Sequence, residues 1–249
     1  MGDPLRLYGL KAVVTSAASG IGEAISRTLV KHGATVLAVD TINSGVEQQF
    51  ESVKGIEGHT ANLKDAARMP ALIEEAAEKL GGIDILVSEF PTHVKAPLSD
   101  GDALLEQLLE QRAGLVMSIC RSALPYLKMS PTGRIINIGF LRSVFATDGA
   151  EAFARSEGDL AALTRALGAD TGKFGITANY IQPGAIMTPV SRDAFKKDMA
   201  LRDYCISQSA ASRLGEPVDV AKVALFLASD DAAFVSGTGL RVDGGRAGS

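Results

Sequence analysis

Two hydrophobic patterns alternate along this chain. Short β-branched apolar runs, KAVVT over Lys11–Thr15, ATVLAVD over Ala34–Asp40, IDILV over Ile83–Val87, RIINI over Arg134–Ile138 and ITANYI over Ile176–Ile181, read as strands, and Gly239–Val242 reads as one more. Segments of helical period separate them: Ile21–His32, with Ile25 and Leu29 on one face, then Ala66–Leu80, Ala103–Lys128, Gly149–Lys173 and Val218–Ala228. Between Asp40 and Ala66 the chain reads only as a polar stretch. Strands that are apolar on both faces need cover on both faces, which helices flanking a parallel sheet provide. The pattern predicts one doubly wound α/β domain over residues 1–249, with no repeat, low-complexity block or linker.

Composition narrows the partners. A chain of 249 residues, 46% hydrophobic and 22% charged, is long enough for one large globular core. Its net charge of −4 argues against nucleic acid as the partner, since phosphate binding wants clustered Lys and Arg. Cys120 and Cys205 are far apart in sequence and form no metal-ligand or redox pair, which points to a reducing, cytoplasmic compartment. The start, MGDPLRLYGLKAVVT, has no basic segment followed by a long apolar one, so no secretion signal is expected. Gly2 begins no lipidation motif, because position 6 is Arg6 rather than Ser or Thr. No run reaches the roughly 18 apolar residues of a membrane span, and no metal-ligand spacing appears.

The first chemistry lies in VVTSAASGIGEAI, which joins the first strand to the first helix. Gly20 and Gly22 let backbone amides approach a pyrophosphate, and the helix start adds unpaired N–H groups and a favourable dipole. Asp40, at the end of the second strand, can accept both hydroxyls of an adenosine ribose and would repel a 2′-phosphate. The plain alternative for Asp40 is a cap on the strand end. Together these features predict a dinucleotide site favouring NAD over NADP. Ser16 stands where a third glycine usually helps form the turn, so a positive φ there would strain the loop.

Here the chain resembles the short-chain dehydrogenase/reductase family over essentially its whole length. Thr15-Ser-Ala-Ala-Ser-Gly-Ile-Gly22 resembles the family's TGxxxGxG, and Gly133-Arg-Ile-Ile-Asn-Ile138 resembles the strand leading to its catalytic serine. Asn179-Tyr-Ile-Gln-Pro-Gly184, followed by Thr188, is similar to the segment beside the nicotinamide. Arg213-Leu-Gly-Glu-Pro217, Phe226-Leu-Ala-Ser-Asp230, Ser236-Gly237 and Val242-Asp-Gly-Gly245 resemble the C-terminal signature. The resemblance implies a seven-stranded Rossmann fold assembled as a homotetramer or homodimer. It places NAD against Thr15, Ser16, Ser19, Gly20, Ile21, Gly22, Asp40, Asn62, Leu63, Glu157, Pro183, Gly184, Ile186 and Thr188.

The resemblance fails where the family keeps its chemistry. The serine position is Phe140, the tyrosine thirteen residues later is Phe153, the lysine four further on is Glu157, and the helical asparagine is Arg112. The family's NNAG turn reads Ser88-Glu-Phe-Pro91. Phenylalanine has no ionisable proton and no hydrogen-bond donor, so Phe153 cannot act as acid or base and Phe140 cannot hold an oxyanion. The pair fills a disused cleft or, with Phe90, forms an aromatic wall for a flat apolar ligand. Glu157 could accept the nicotinamide ribose hydroxyls and favour the cationic, oxidised ring. Arg112 and Glu157 could instead pair with each other. Tyr180, Tyr204 and Glu89 are the remaining acid–base candidates, while His32, His59 and His93 do not cluster. Three functions stay open: an NAD-dependent oxidoreductase with displaced acid–base groups, a non-redox enzyme such as the related halohydrin dehalogenases, and a catalytically silent NAD-binding or partner subunit.

Overall fold

The computed structural model describes residues 6–90 and 97–245. Seven parallel strands form one sheet: β1 (Lys11–Thr15), β2 (Thr35–Asp40), β3 (Ile56–Thr60), β4 (Ile85–Ser88), β5 (Arg134–Ile138), β6 (Thr177–Pro183) and β7 (Gly239–Val242), in spatial order β3-β2-β1-β4-β5-β6-β7. Val13 pairs in register with Leu37 on one side and Leu86 on the other. Along β1 the side chains alternate faces. Ala12 and Val14 pack with α1 (Gly20–Lys31), α2 (Val46–Phe50) and α8 (Pro217–Ala228). Val13 packs on the opposite face with α3 (Met69–Leu80), α4 (Ala103–Leu127) and α5 (Ala150–Thr171). Two apolar layers thus cover both faces of the central strands, which is the arrangement the unbroken apolar strands demand.

The stretch between Asp40 and Ala66 differs from the sequence reading, because it holds α2 and β3. β3 is an edge strand of sequence IEGHT in which only Ile56 is buried, so it carries no apolar run to recognise. Its place is set by backbone pairing with β2 and by Gly58, where a Cβ would lie 2.3 Å from the Val46 carbonyl oxygen. The segment after Thr188 folds as α6 (Pro189–Lys197) and α7 (Met199–Ser207), capped by Thr188 and Asp198.

Strand order reverses between β1 and β4, so the loops leaving their carboxyl ends diverge and open a crevice there. Among the described residues no helix is long and apolar enough to cross a membrane. Gly2, Pro91 and His93 lie outside the described residues.

Candidate functional site

The crevice is built from the glycine turn outward. Thr15 ends β1, and Ser16 follows with φ 53°, the left-handed conformation that strains a side chain. Both hydroxyls donate to the Glu89 carbonyl oxygen, at 2.5 Å from Thr15 and 2.9 Å from Ser16, while Glu89 N–H returns a bond to Thr15 Oγ1 at 2.9 Å. These bonds lash the turn to the end of β4. At Gly22 a Cβ would stand 2.2 Å from the Ser16 carbonyl oxygen, so only glycine lets α1 start this close to the turn. Ser19 precedes α1 and makes no side-chain cap, which leaves first-turn amides without a side-chain acceptor there.

Asp40 serves the turn as well as facing the crevice. Its Oδ2 accepts Ala18 N–H at 2.8 Å and its Oδ1 accepts Thr41 N–H at 2.6 Å. The strand-end cap and the crevice wall are therefore one residue.

The crevice opens to solvent and spans about 850 Å³, the solvent at its mouth included. Ser16, Ser19, Gly20, Ile21, Asp40 and Thr188 line it, six of the residues that the sequence placed at a cofactor. Thr15 lies fully buried beneath the turn, Leu63 and Ile186 are core residues, and Asn62 accepts a bond from Lys64 N–H at 3.0 Å. Pro183 and Gly184 line a different pocket. Thr188 Oγ1 accepts Ser191 N–H at 3.1 Å and so caps α6.

Glu89, Phe90, Arg112 and Phe140 line the same crevice. Desolvation pushes the Glu89 carboxyl up to about 8, against the attraction of Arg112, and its Oε2 is enclosed without a partner. Burial lowers the Arg112 guanidinium to about 10, opposed by Glu89. Arg112 donates to the carbonyl oxygens of Phe90, at 3.3 Å, and of Ile138, and its guanidinium carbon sits 4.1 Å from the Phe140 ring centre.

The residues that the sequence comparison aligned with the family's chemical groups have other partners than expected. Glu157 forms a two-oxygen pair with Arg241 on β7, at 3.0 and 3.1 Å, and the expected Arg112–Glu157 pair does not form. Phe140 and Phe153 do not face one space. They meet through Phe145, edge to face at 6.0 and 5.5 Å, in a small apolar cluster with Leu98, Leu105 and Leu109. Phe140 then faces the crevice and Phe153 the separate pocket. Ser88, in the asparagine-rich turn's place, bonds Asn137 Oδ1 at 2.5 Å.

Of the other acid–base candidates, Tyr180 is buried in the core, where desolvation raises its pKa ahead of the nearby Glu157 charge. Tyr204 reaches Arg142 at 3.5 Å. His59 faces Glu75 at 3.4 Å, and His32 ends α1. Burial raises both cysteine thiols, Cys120 to about 12 and Cys205 to about 11. Among the described residues no group of His, Cys, Asp and Glu could hold a metal ion. Sequence reasoning missed Arg241, Phe145 and Arg142, and the uneven spacing of Phe140, Phe145 and Phe153 carried no signal for the cluster.

Known proteins resemble the whole chain. The family described as enoyl-(acyl carrier protein) reductase matches residues 16–247. L-fucose dehydrogenase of Oryctolagus cuniculus is 32% identical over 251 residues, covering 98% of this chain and 87% of that one. The 3-oxoacyl-(acyl-carrier-protein) reductase FabG of Thermotoga maritima is 28% identical over 250 residues, 97% of this chain and 99% of its own. Oxidoreductase UcpA of Escherichia coli strain K12 is 29% identical over 252 residues, 96% and 95% of the two chains.

Proposed function

The chain belongs to the short-chain dehydrogenase/reductase family, and from that premise we propose that it binds NAD(H) in the crevice without the family's tyrosine-driven chemistry. A nicotinamide dinucleotide, when bound, supplies a hydride donor or acceptor. The residues present fit its adenosine half. Gly20 keeps the space beside Thr188 free of a side chain, Gly22 lets α1 start against the turn, and the α1 dipole favours the negative charge of a phosphate. Asp40 has lone pairs left for ribose hydroxyls, and its charge opposes a 2′-phosphate, so NAD is preferred to NADP. Ser16, Ser19, Ile21 and Thr188 complete the wall. Glu157 joins the site only by giving up Arg241.

The observation that carries the negative half of the reading is the Phe140–Phe145–Phe153 ladder. Its outer rings, Phe140 and Phe153, are the residues that the sequence registry sets at the family's oxyanion donor and proton donor, and their apolar packing supports the reading. General acid–base help is worth about two to four orders of magnitude in rate, so carbonyl reduction here is slow by that factor. The ligand partner is a small apolar or aromatic molecule, and the assembly is a homodimer or homotetramer in the cytoplasm.

Calorimetric titration with NAD⁺ and NADP⁺, beside a screen of NADH consumption over carbonyl substrates, tests the proposal. Heat on NAD⁺ addition without consumption supports it, and consumption at ordinary rates contradicts it. One observation favours a second reading, a non-redox enzyme on the same scaffold. Glu89 lines the crevice with a carboxyl held near physiological pH, the property a general acid–base needs.

A further inference from the structure

A buried guanidinium needs a counter-charge, because its desolvation costs far more than bonds to neutral acceptors return. Arg142 is 6% exposed. Its Nη1 donates to the Phe145 carbonyl oxygen at 3.0 Å, and its Nη2 reaches the Tyr204 hydroxyl at 3.5 Å. The rings of Phe153 and Tyr204 flank the guanidinium carbon at 5.8 and 5.2 Å. All four contacts are neutral, and Arg142 has no ion pair among the described residues. Its neighbours in the same pocket are satisfied: Arg213 holds Asp219 at 2.9 Å and Arg241 holds Glu157 at 3.0 Å.

Arg142 lines a pocket open to solvent that shares no lining residue with the glycine-turn crevice. Two enclosed polar atoms of residues lining it, Gln182 Oε1 and Ser209 Oγ, have no hydrogen-bond partner. Phe153, Ala185 and Cys205 give the wall an apolar side. Asp243 also lines the pocket, with its Oδ1 accepting Gly245 N–H at 3.0 Å, and it repels an anion at its own end. The attraction is therefore concentrated at Arg142.

We propose that this pocket binds a small organic acid, its carboxylate paired with Arg142 and its apolar or aromatic body packed against Phe153. A planar guanidinium matches a carboxylate with two parallel bonds, which a neutral group cannot reproduce. Phe153, Pro183 and Gly184 line this pocket and are positions that the family resemblance puts beside the nicotinamide, so the proposal names a ligand class for that part of the site. Titration without nucleotide separates its failure from that of the dinucleotide reading.

The test is calorimetric titration of the full chain, without nucleotide, using 3-phenylpropionate and its neutral amide. Wild type should bind the acid at least about tenfold tighter than the amide, a modest share of what a charge-assisted pair supplies. Arg142→Met should bring that ratio to about one, and Arg142→Lys should leave it between the two values, because the charge stays and the fork is lost. Should Arg142→Met fail to fold, the Arg142→Lys ratio and the wild-type ratio decide alone. Equal binding of acid and amide, an acid preference unchanged in the arginine variants, or no acid binding at about 10 mM, where even a weak pair would register, each overturns the proposal.

Discussion

Glu157 grips Arg241 through both carboxylate oxygens, across 84 residues of sequence, at 3.0 and 3.1 Å. Glu157 is thereby turned to β7, and the hydrogen bond to Glu157, ahead of its charge, raises the Arg241 pKa. Arg241 is 51% exposed in its side chain, so solvent screens the pair. Glu157→Gln should cost only about 0.5–1 kcal/mol in chemical denaturation.

The same pair governs any attempt to rebuild the family's chemistry. Phe153→Tyr with Glu157→Lys places two cations together at β7 and leaves Phe140 without a donor. The double variant should be less stable than wild type by about 1–2 kcal/mol and should consume NADH no faster. A clear gain in activity in the NADH assay would show that the pocket needs only those two groups.

Glu89 makes stability depend on pH. Its folded carboxyl is raised to about 8, chiefly by desolvation, while the unfolded one titrates near the usual 4.5. Between those values the folded state holds a proton that the unfolded state has lost, so the contribution is full below about 4.5 and falls as pH rises towards 8. The slope is at most about 1.4 kcal/mol per pH unit. Denaturation of wild type at pH 6 and pH 8 should show the loss, and Glu89→Gln should flatten it. Nucleotide affinity in wild type should also fall above pH 8, where the carboxylate charges beside the phosphate site, and Glu89→Gln should remove that fall.

Ser16 combines strain with a compensating bond. Its φ of 53° disfavours any side chain, yet its hydroxyl bonds the Glu89 carbonyl at 2.9 Å. Ser16→Ala keeps the strain and loses the bond, for a cost of about 1 kcal/mol. Ser16→Gly loses the bond but relieves about 1–2 kcal/mol of strain. Thermal melts should therefore rank glycine above alanine; the reverse order would remove the strain argument.

These residues mark what was legible in the sequence. The glycine turn, the strand cores and the Ser16 problem are local, written in a few adjacent side chains and one backbone angle. The helices α6 and α7, capped by Thr188 and Asp198, lie in a segment to which the sequence pattern assigned no element. β3 was hidden because an edge strand with one buried side chain owes its place to pairing with β2. The partners of Glu157 and Arg112 were hidden for another reason. Helical neighbours follow from spacing, but Arg241 and Glu89 reach them only through the folded sheet.

Asp40 should set cofactor choice. Asp40→Asn keeps most of the shape and removes the charge, so the preference for NAD⁺ over NADP⁺ should shrink by about tenfold, the size of one screened charge contact. The amides of Ala18 and Thr41 lose a charged acceptor in the same change, so the melting temperature should fall slightly. Unchanged selectivity by calorimetry would assign Asp40 to the strand end alone.

The central claim is binding without tyrosine-driven hydride transfer, and one experiment reads both halves. NADH is mixed with excess protein and a panel of ketones and aldehydes, and its fluorescence and absorbance are followed together. The account predicts an immediate fluorescence change as NADH binds, followed by absorbance that stays level on the timescale of ordinary turnover, about one per second. No fluorescence change, or NADH consumed at that ordinary rate, would contradict it.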